Sequence, residues 1–191
     1  YLGLNVDSRL KQAAIAAVER FGQVFSSSAA YASIGPYTDL EERLARITGG
    51  YVVIPTTTTL GHLAALPVLV GGDDLVLIDV QTHASVHLAT QVLKGDGIPA
   101  TLLPHNDMQA LEQAIQEAAE EYRHIWYLAD GVYSMYGDVA PVQHITGLMD
   151  RYPSLHVYFD DAHDDPVQVA RAVDDGGSGH RTVGPNQQRQ T

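Results

Sequence analysis

Short apolar runs alternate along the chain with longer segments whose apolar residues recur every three or four positions. The runs are YVVIP (51–55), LVLIDV (75–80), ATLLP (100–104), HIWYLAD (124–130) and HVYFDDA (156–162). All but ATLLP are rich in β-branched or aromatic residues, which suit a pleated, packed surface. Between and around them the spacing predicts helices over about 8–21, 37–48, 59–70, 84–94, 107–121 and 141–151. Asp107 is placed to cap the fifth helix, and Pro141 suits the first turn of the sixth. Gly49-Gly50 and Gly71-Gly72 stand where the second and third helices should stop. Strands alternating with helices imply an α/β fold with a largely parallel sheet. The runs are apolar at both odd and even positions, as expected of strands covered on both faces.

Ligands of open α/β sheets bind beyond the carboxyl ends of the strands. That rule directs attention to the residues after Pro55, Asp79, Asp130 and Asp160. HVYFDDAHDD is the sharpest of these stretches, because a strand there stops at two adjacent carboxylates, Asp160 and Asp161. A desolvated carboxylate needs a partner. Neighbouring strand residues point to opposite faces, so one of the two can face a ligand while the other faces away. A metal ion, a substrate or a protonated cofactor nitrogen could each serve as that partner.

Composition narrows the classes. A chain of 191 residues fits one domain of ordinary size, and 45% hydrophobic content is normal for a globular protein. A net charge of −12 argues against binding nucleic acid or anionic membrane through a general basic surface. The absence of cysteine removes disulfides, thiolate metal sites and a cysteine nucleophile, and is compatible with a cytoplasmic location. No apolar run reaches the length of a membrane span. The chain opens on Tyr1 without a basic n-region, so no signal peptide is expected, and it reads as a piece of something longer. From about Asp174 the sequence turns Gly-, Gln- and polar-rich, and a mobile tail is expected over 166–191, after a domain of residues 1–165.

Three further stretches carry candidate chemistry beside Asp160 and His163. PTTTTLGH (55–62) sets a threonine run at a helix start, where free N–H groups and hydroxyls suit a phosphate; N-capping alone would also explain it. QTHASVH (81–87) puts His83 past a strand end and His87 four residues on, a pair that could share a helix face. ADGVYSMYGDVAP (129–141) presents Ser134 and Tyr136 on a βα loop.

Taken in order, these stretches resemble the α-oxoamine synthases, the pyridoxal 5'-phosphate (PLP) family that includes 8-amino-7-oxononanoate synthase, 2-amino-3-ketobutyrate CoA ligase, 5-aminolevulinate synthase and serine palmitoyltransferase. DGVYSMYGDVAP is similar to the family's D/E-G-V-F-S-M-D-G-D-x-A-P signature, THAS to its N/S-H-A-S motif and FDDAH to its V-D-D/E-A-H motif. LEERLARITG and HNDMQALEQAI also resemble family segments. The resemblance runs from Tyr1 to about His163. It implies part of the fold-type I large domain, a mostly parallel sheet with helices on both faces, in a complete protein that works as a homodimer. It also implies PLP as cofactor and residue roles to go with it. Asp160 would pair with the pyridine nitrogen, and His163 would bond the ring 3-hydroxyl. His83 would stack on the ring, and Ser134 would lie near the same hydroxyl. Thr57, Thr58 and Thr59 would hold the phosphate. His83 and Ser134 would be the catalytic pair. The implied reaction condenses an amino acid with an acyl-CoA to an α-aminoketone, releasing carbon dioxide and CoA.

The sequence also departs from the family pattern. The family's Schiff-base lysine lies downstream of D-D-A-H, whereas the lysines here are Lys11 and Lys94, neither in such a motif. Three threonines replace the usual small-residue phosphate turn. Tyr37 stands where many members have histidine, and Tyr136 where SMDG is usual. The chain therefore reads as an incomplete member, inactive by itself. The alternatives are another fold-type I reaction (aminotransfer or decarboxylation), a metal-dependent hydrolase built on Asp160, His163, His83 and His62, and a non-catalytic remnant.

Overall fold

Four parallel strands form the sheet of the larger of two units in the structure, a computed structural model that describes residues 3–22, 31 and 35–163. The expected tail over 166–191 lies outside the described residues. Two compact units can be distinguished, residues 1–43 and 44 onward.

In the first unit a short 3-10 turn, Leu4–Val6, leads to α1, Ser8–Phe21. Asp7 caps α1 by accepting from the Arg9 N–H at 2.8 Å. The helix buries none of its side chains. Most of α2, Gly35–Thr48, also belongs here, and the left-handed Gly49 (φ 74°) ends it.

The second unit holds the sheet. Its elements are α3 (Thr58–Leu69), β1 (Leu75–Asp79), α4 (Ala84–Gly95), β2 (Ala100–Leu103), α5 (Met108–Ala118), β3 (Ile125–Asp130), α6 (Val142–Arg151) and β4 (Leu155–Asp160). The strand order is β2-β1-β3-β4, every pairing parallel. Strand parity explains the layers. Odd-numbered residues such as Leu75, Leu77, Ile125 and Tyr127 pack with Leu111, Ile115, Ile145 and Leu148 of α5 and α6. Even-numbered Val76, Ile78 and Leu128 pack with Leu66 of α3 and with Val86, Ala89 and Leu93 of α4. All five residues of β1 are buried, as its unbroken apolar run requires.

Four of the five apolar runs form strands, ATLLP among them. The fifth, YVVIP, does not. Among the described residues it pairs with no strand, and Tyr51 and Val53 are 77% and 84% exposed. A strand is defined by its neighbour, and β-branched composition cannot supply one. The helix ends fall within a few residues of expectation. Asp107 caps α5 by accepting from the N–H groups of Gln109 and Ala110 at 3.1 and 2.9 Å. Pro141 stands at the N-cap of α6, one position before its first turn.

Candidate cofactor site

Three carboxylates close three neighbouring strands. Asp79 ends β1, Asp130 ends β3 and Asp160 ends β4, at 0, 3 and 5% exposure. Asp130 and Asp160 are register partners. Parity sends Asp79 toward the α5/α6 side and turns Asp130 and Asp160 toward the α3/α4 side.

Asp160 lines a cavity of about 270 Å³ together with Thr57, Thr58, Thr59, His83, Ser85, Ala162 and His163. Each wall has a local cause. Thr57 caps α3, its hydroxyl accepting from the Leu60 N–H at 3.1 Å, so the first N–H groups of α3 lie at the cavity with no partner from the helix itself. Those dipoles favour an anion. His83 caps α4, its Nδ1 accepting from the Ser85 N–H at 3.2 Å and lying 2.6 Å from the Ser85 hydroxyl. This assigns Nδ1 as acceptor and leaves the proton of the neutral ring on Nε2. The His83 backbone N–H donates to both oxygens of Asp130, at 3.1 and 3.2 Å.

Asp160 accepts from the Ala162 N–H at 3.1 Å on one oxygen, and its other oxygen lies 3.1 Å from His62 Nε2. Burial opposes its charge, but the His62 bond, the Ala162 N–H and the nearby His62 and His83 outweigh it, so the carboxyl sits below its ordinary range. Asp130 goes the other way. Burial is the main cause, the charges of Asp160 and Asp79 add to it, and the His83 N–H only partly compensates, so its pKa is pushed up to about 6. Two neighbouring carboxylates thus have separate characters, one held below and one raised above the ordinary aspartate range.

Asp79 belongs to a second network. His105, in the loop after β2, lies 3.0 Å from Asp79 through Nδ1 and bonds Asp138 through Nε2. The Asn106 N–H also donates to Asp79, at 2.8 Å. Both ring nitrogens face carboxylates, an arrangement that favours the protonated ring, which can donate from both. Burial works against that charge, but Asp138 and Asp79 prevail and the His105 pKa is raised.

Six of the seven site residues named from the sequence therefore meet or adjoin one cavity: Thr57, Thr58, Thr59, His83, Asp160 and His163. Ser134 does not. It is exposed on the loop 131–140, outside the lining, while its neighbour Tyr133 is buried in the core. Ser85 and the Asp79–His105–Asp138 network were not singled out from the sequence, although THAS and HND contain Ser85 and His105. Among the described residues, no group of three or more His, Asp or Glu is arranged to hold a metal ion. Nor is any described helix long and apolar enough to cross a membrane.

The residues suit the cofactor that the sequence pattern implies. A helix start rich in hydroxyls and a carboxylate held ionised line one space, together with two histidines, His83 and His163. The aminotransferase class I and II family matches residues 1–174. The chain belongs to this family. Among curated relatives, it is 33% identical over 165 residues to a serine palmitoyltransferase of Bacteriovorax stolpii, and the match covers 85% of this chain and 38% of that protein. It is 34% identical to an 8-amino-7-oxononanoate synthase of Maricaulis maris, covering 85% of this chain and 41% of the relative. The chain thus spans about two fifths of the family members it matches. Among solved structures, a Sphingomonas wittichii serine palmitoyltransferase aligns with a TM-score of 0.80 at 21% identity, over 91% of this chain and 46% of that one. An S. paucimobilis serine palmitoyltransferase with a bound PLP–myriocin aldimine aligns with a TM-score of 0.77 at 24% identity, over 85% and 40%. The family's PLP-dependent fold is therefore present here in part: an all-parallel α/β sheet with helices on both faces.

Proposed function

We propose that this chain forms the cofactor-holding part of a PLP-dependent acyltransferase of the α-oxoamine synthase type, one that condenses an amino acid with an acyl-CoA to an α-aminoketone. The observation that carries this reading is the single cavity that joins Asp160, His83 and His163 to the start of α3. In it, Asp160 would hold the protonated pyridine nitrogen, and the N–H groups and hydroxyls of Thr57–Thr59 would take the phosphate. His83 would lie on the ring, its orientation fixed by Ser85 and by the backbone bond to Asp130. His163 would reach the 3-hydroxyl. Bound there, PLP supplies an electron sink for a carbanion at the amino acid's α-carbon, and an ionised carboxylate at the ring nitrogen strengthens that sink.

Lys94 does not line the cavity, Lys11 lies in the other unit, and the reading assigns no covalent lysine to these 191 residues. Binding is then non-covalent, and this chain alone would not turn over substrate. A homodimer and a cytoplasmic location in the complete protein belong to the same proposal. The test is titration of the protein with PLP, followed by absorbance and by borohydride treatment. Expected are saturable binding, a loss of at least about tenfold in affinity in Asp160→Ala, and no PLP fixed to Lys94. Equal binding by Asp160→Ala, or no binding at all, would overturn the site. Acyl-CoA-dependent release of carbon dioxide by the full-length protein separates this reaction from an aminotransferase or a decarboxylase.

A further inference from the structure

From Leu60 to Leu69, helix α3 reads LGHLAALPVL, with His62 as its only polar side chain. His62 is 4% exposed. A buried imidazole must satisfy two ring nitrogens. Both partners come from β4, where Tyr158 and Asp160 point to the same face. Nδ1 lies 2.7 Å from the Tyr158 hydroxyl and Nε2 lies 3.1 Å from Asp160 Oδ2. The His62 and Tyr158 rings also meet edge to face, with centroids 5.7 Å apart. Burial first, and then the charge of Asp160, push the Tyr158 pKa up to about 12, so the phenol keeps its proton. An ionised carboxylate only accepts, so Nε2–H donates to Asp160, and in the neutral ring Nδ1 then accepts from the Tyr158 hydroxyl.

Building on the PLP reading above, we propose that His62 is a positioning residue for the cofactor, the middle member of a Tyr158–His62–Asp160 chain that orients the carboxylate toward the pyridine nitrogen. The chain uses one lone pair of Oδ2, and the Ala162 N–H uses one of Oδ1. The carboxylate is thereby held from both sides, with acceptor capacity left for a ligand donor. A histidine that only satisfied itself in the core would need neither this order nor this target.

The experiment compares wild type with His62→Leu, His62→Gln and Tyr158→Phe, using PLP labelled with ¹⁵N in its ring. Two readouts are taken, PLP affinity and the ¹⁵N shift of the bound ring, which reports its protonation. His62→Leu is expected to weaken binding by at least about tenfold and to lose the protonated-nitrogen signal. His62→Gln, whose amide N–H reaches the same point, is expected to restore the protonated signal and bring affinity to within about threefold of wild type. Tyr158→Phe keeps the aromatic bulk but removes the proton that fixes the ring. In its ligand-free ¹⁵N-histidine spectrum, His62 is expected to change from the Nε2–H tautomer to a mixture. If wild type binds PLP and His62→Leu matches it in both readouts, the cofactor site stands and the role of His62 is overturned. If Tyr158→Phe leaves the tautomer unchanged, the ordered chain is overturned. If wild type binds no PLP, the cofactor reading itself fails.

Discussion

The two ends of the sheet are built from the same residue types and arrive at opposite states. At the amino-terminal end, Asp74 accepts from the Gly71 N–H at 2.8 Å, from Trp126 Nε1 at 3.1 Å and from His124 Nδ1 at 3.0 Å. His156 stacks on Trp126, with centroids 4.9 Å apart, and meets His124 edge-on at 4.8 Å. Every partner of that aspartate is internal and fixed. At the carboxyl-terminal end, Asp160 is as buried as Asp74 but faces a cavity, with a histidine behind it. A buried aspartate beside a histidine is thus a structural clasp at one end and a ligand site at the other. What separates them is the space in front of the carboxylate.

Removing the two acids should separate those roles. Asp74→Ala leaves two side-chain donors and one backbone donor without their acceptor. A loss of about 3 kcal/mol in unfolding free energy is expected by urea titration, with PLP affinity unchanged. Asp160→Ala should also cost about 2 kcal/mol, because His62 Nε2–H and the Ala162 N–H lose their acceptor, but it alone of the two should lower PLP affinity. If Asp74→Ala abolishes PLP binding in protein that is still folded, the two ends are not independent.

Asp130 gives the next largest effect. Its folded pKa lies above that of an ordinary aspartate, so the folded state holds a proton that the unfolded state has released between about pH 4 and 6, and stability falls as pH rises through that window. Asp130→Asn keeps an acceptor for the His83 N–H and removes the charge facing Asp160. It should gain about 1 kcal/mol at pH 7 and flatten the pH dependence over that window. A destabilised variant would mean the charge is needed where it stands.

The histidines at the two ends should titrate with opposite sign. The His105 pKa is raised, so its contribution is complete below about pH 6.5 and is lost as pH rises through the folded value. His156 is lowered, by burial first and then by His124, with Asp74 opposing, so its contribution is present above about pH 6.5 and is lost as pH falls. His105→Gln should remove the alkaline loss and His156→Phe the acid loss, read as urea midpoints across pH. The smallest expected effect is optical. Trp126 is the single tryptophan of the chain, and protonated imidazole quenches a stacked indole by accepting its excited electron. Fluorescence should therefore fall as His156 protonates, and His156→Phe should abolish the step.

Much of this was legible from the chain, for reasons that particular residues make plain. Helices announced themselves through caps such as Asp107, and strands through runs too apolar for an exposed face. Asp160, His83 and His163 could be named because each stands beyond a strand or within a specific motif. The segment 51–55 misled because its composition is that of a strand while its pairing depends on another part of the molecule. Ser134 is a different case, since it stands outside the cavity lining. Its motif is intact, but which of two neighbours faces inward is decided by the loop, and Tyr133 fills the core. His62 appeared only in the metal reading. Its signal was its isolation in an apolar helix, since a lone polar group there must have a buried partner. The partner lies 98 residues away in sequence, on β4, and only the fold brings the two together.

The strand order also has a consequence for how the molecule assembles in time. β1 pairs with β2 across 24 residues and β3 with β4 across 30, but the central β1–β3 pairing joins residues 50 apart. Longer closures are entropically dearer, so the two outer pairs should form first and the central seam last. His83 follows β1 and Asp130 ends β3, and their bond crosses that seam. Ligand capacity should therefore lag behind most of the helical signal during refolding, and its appearance would time the closing of the sheet.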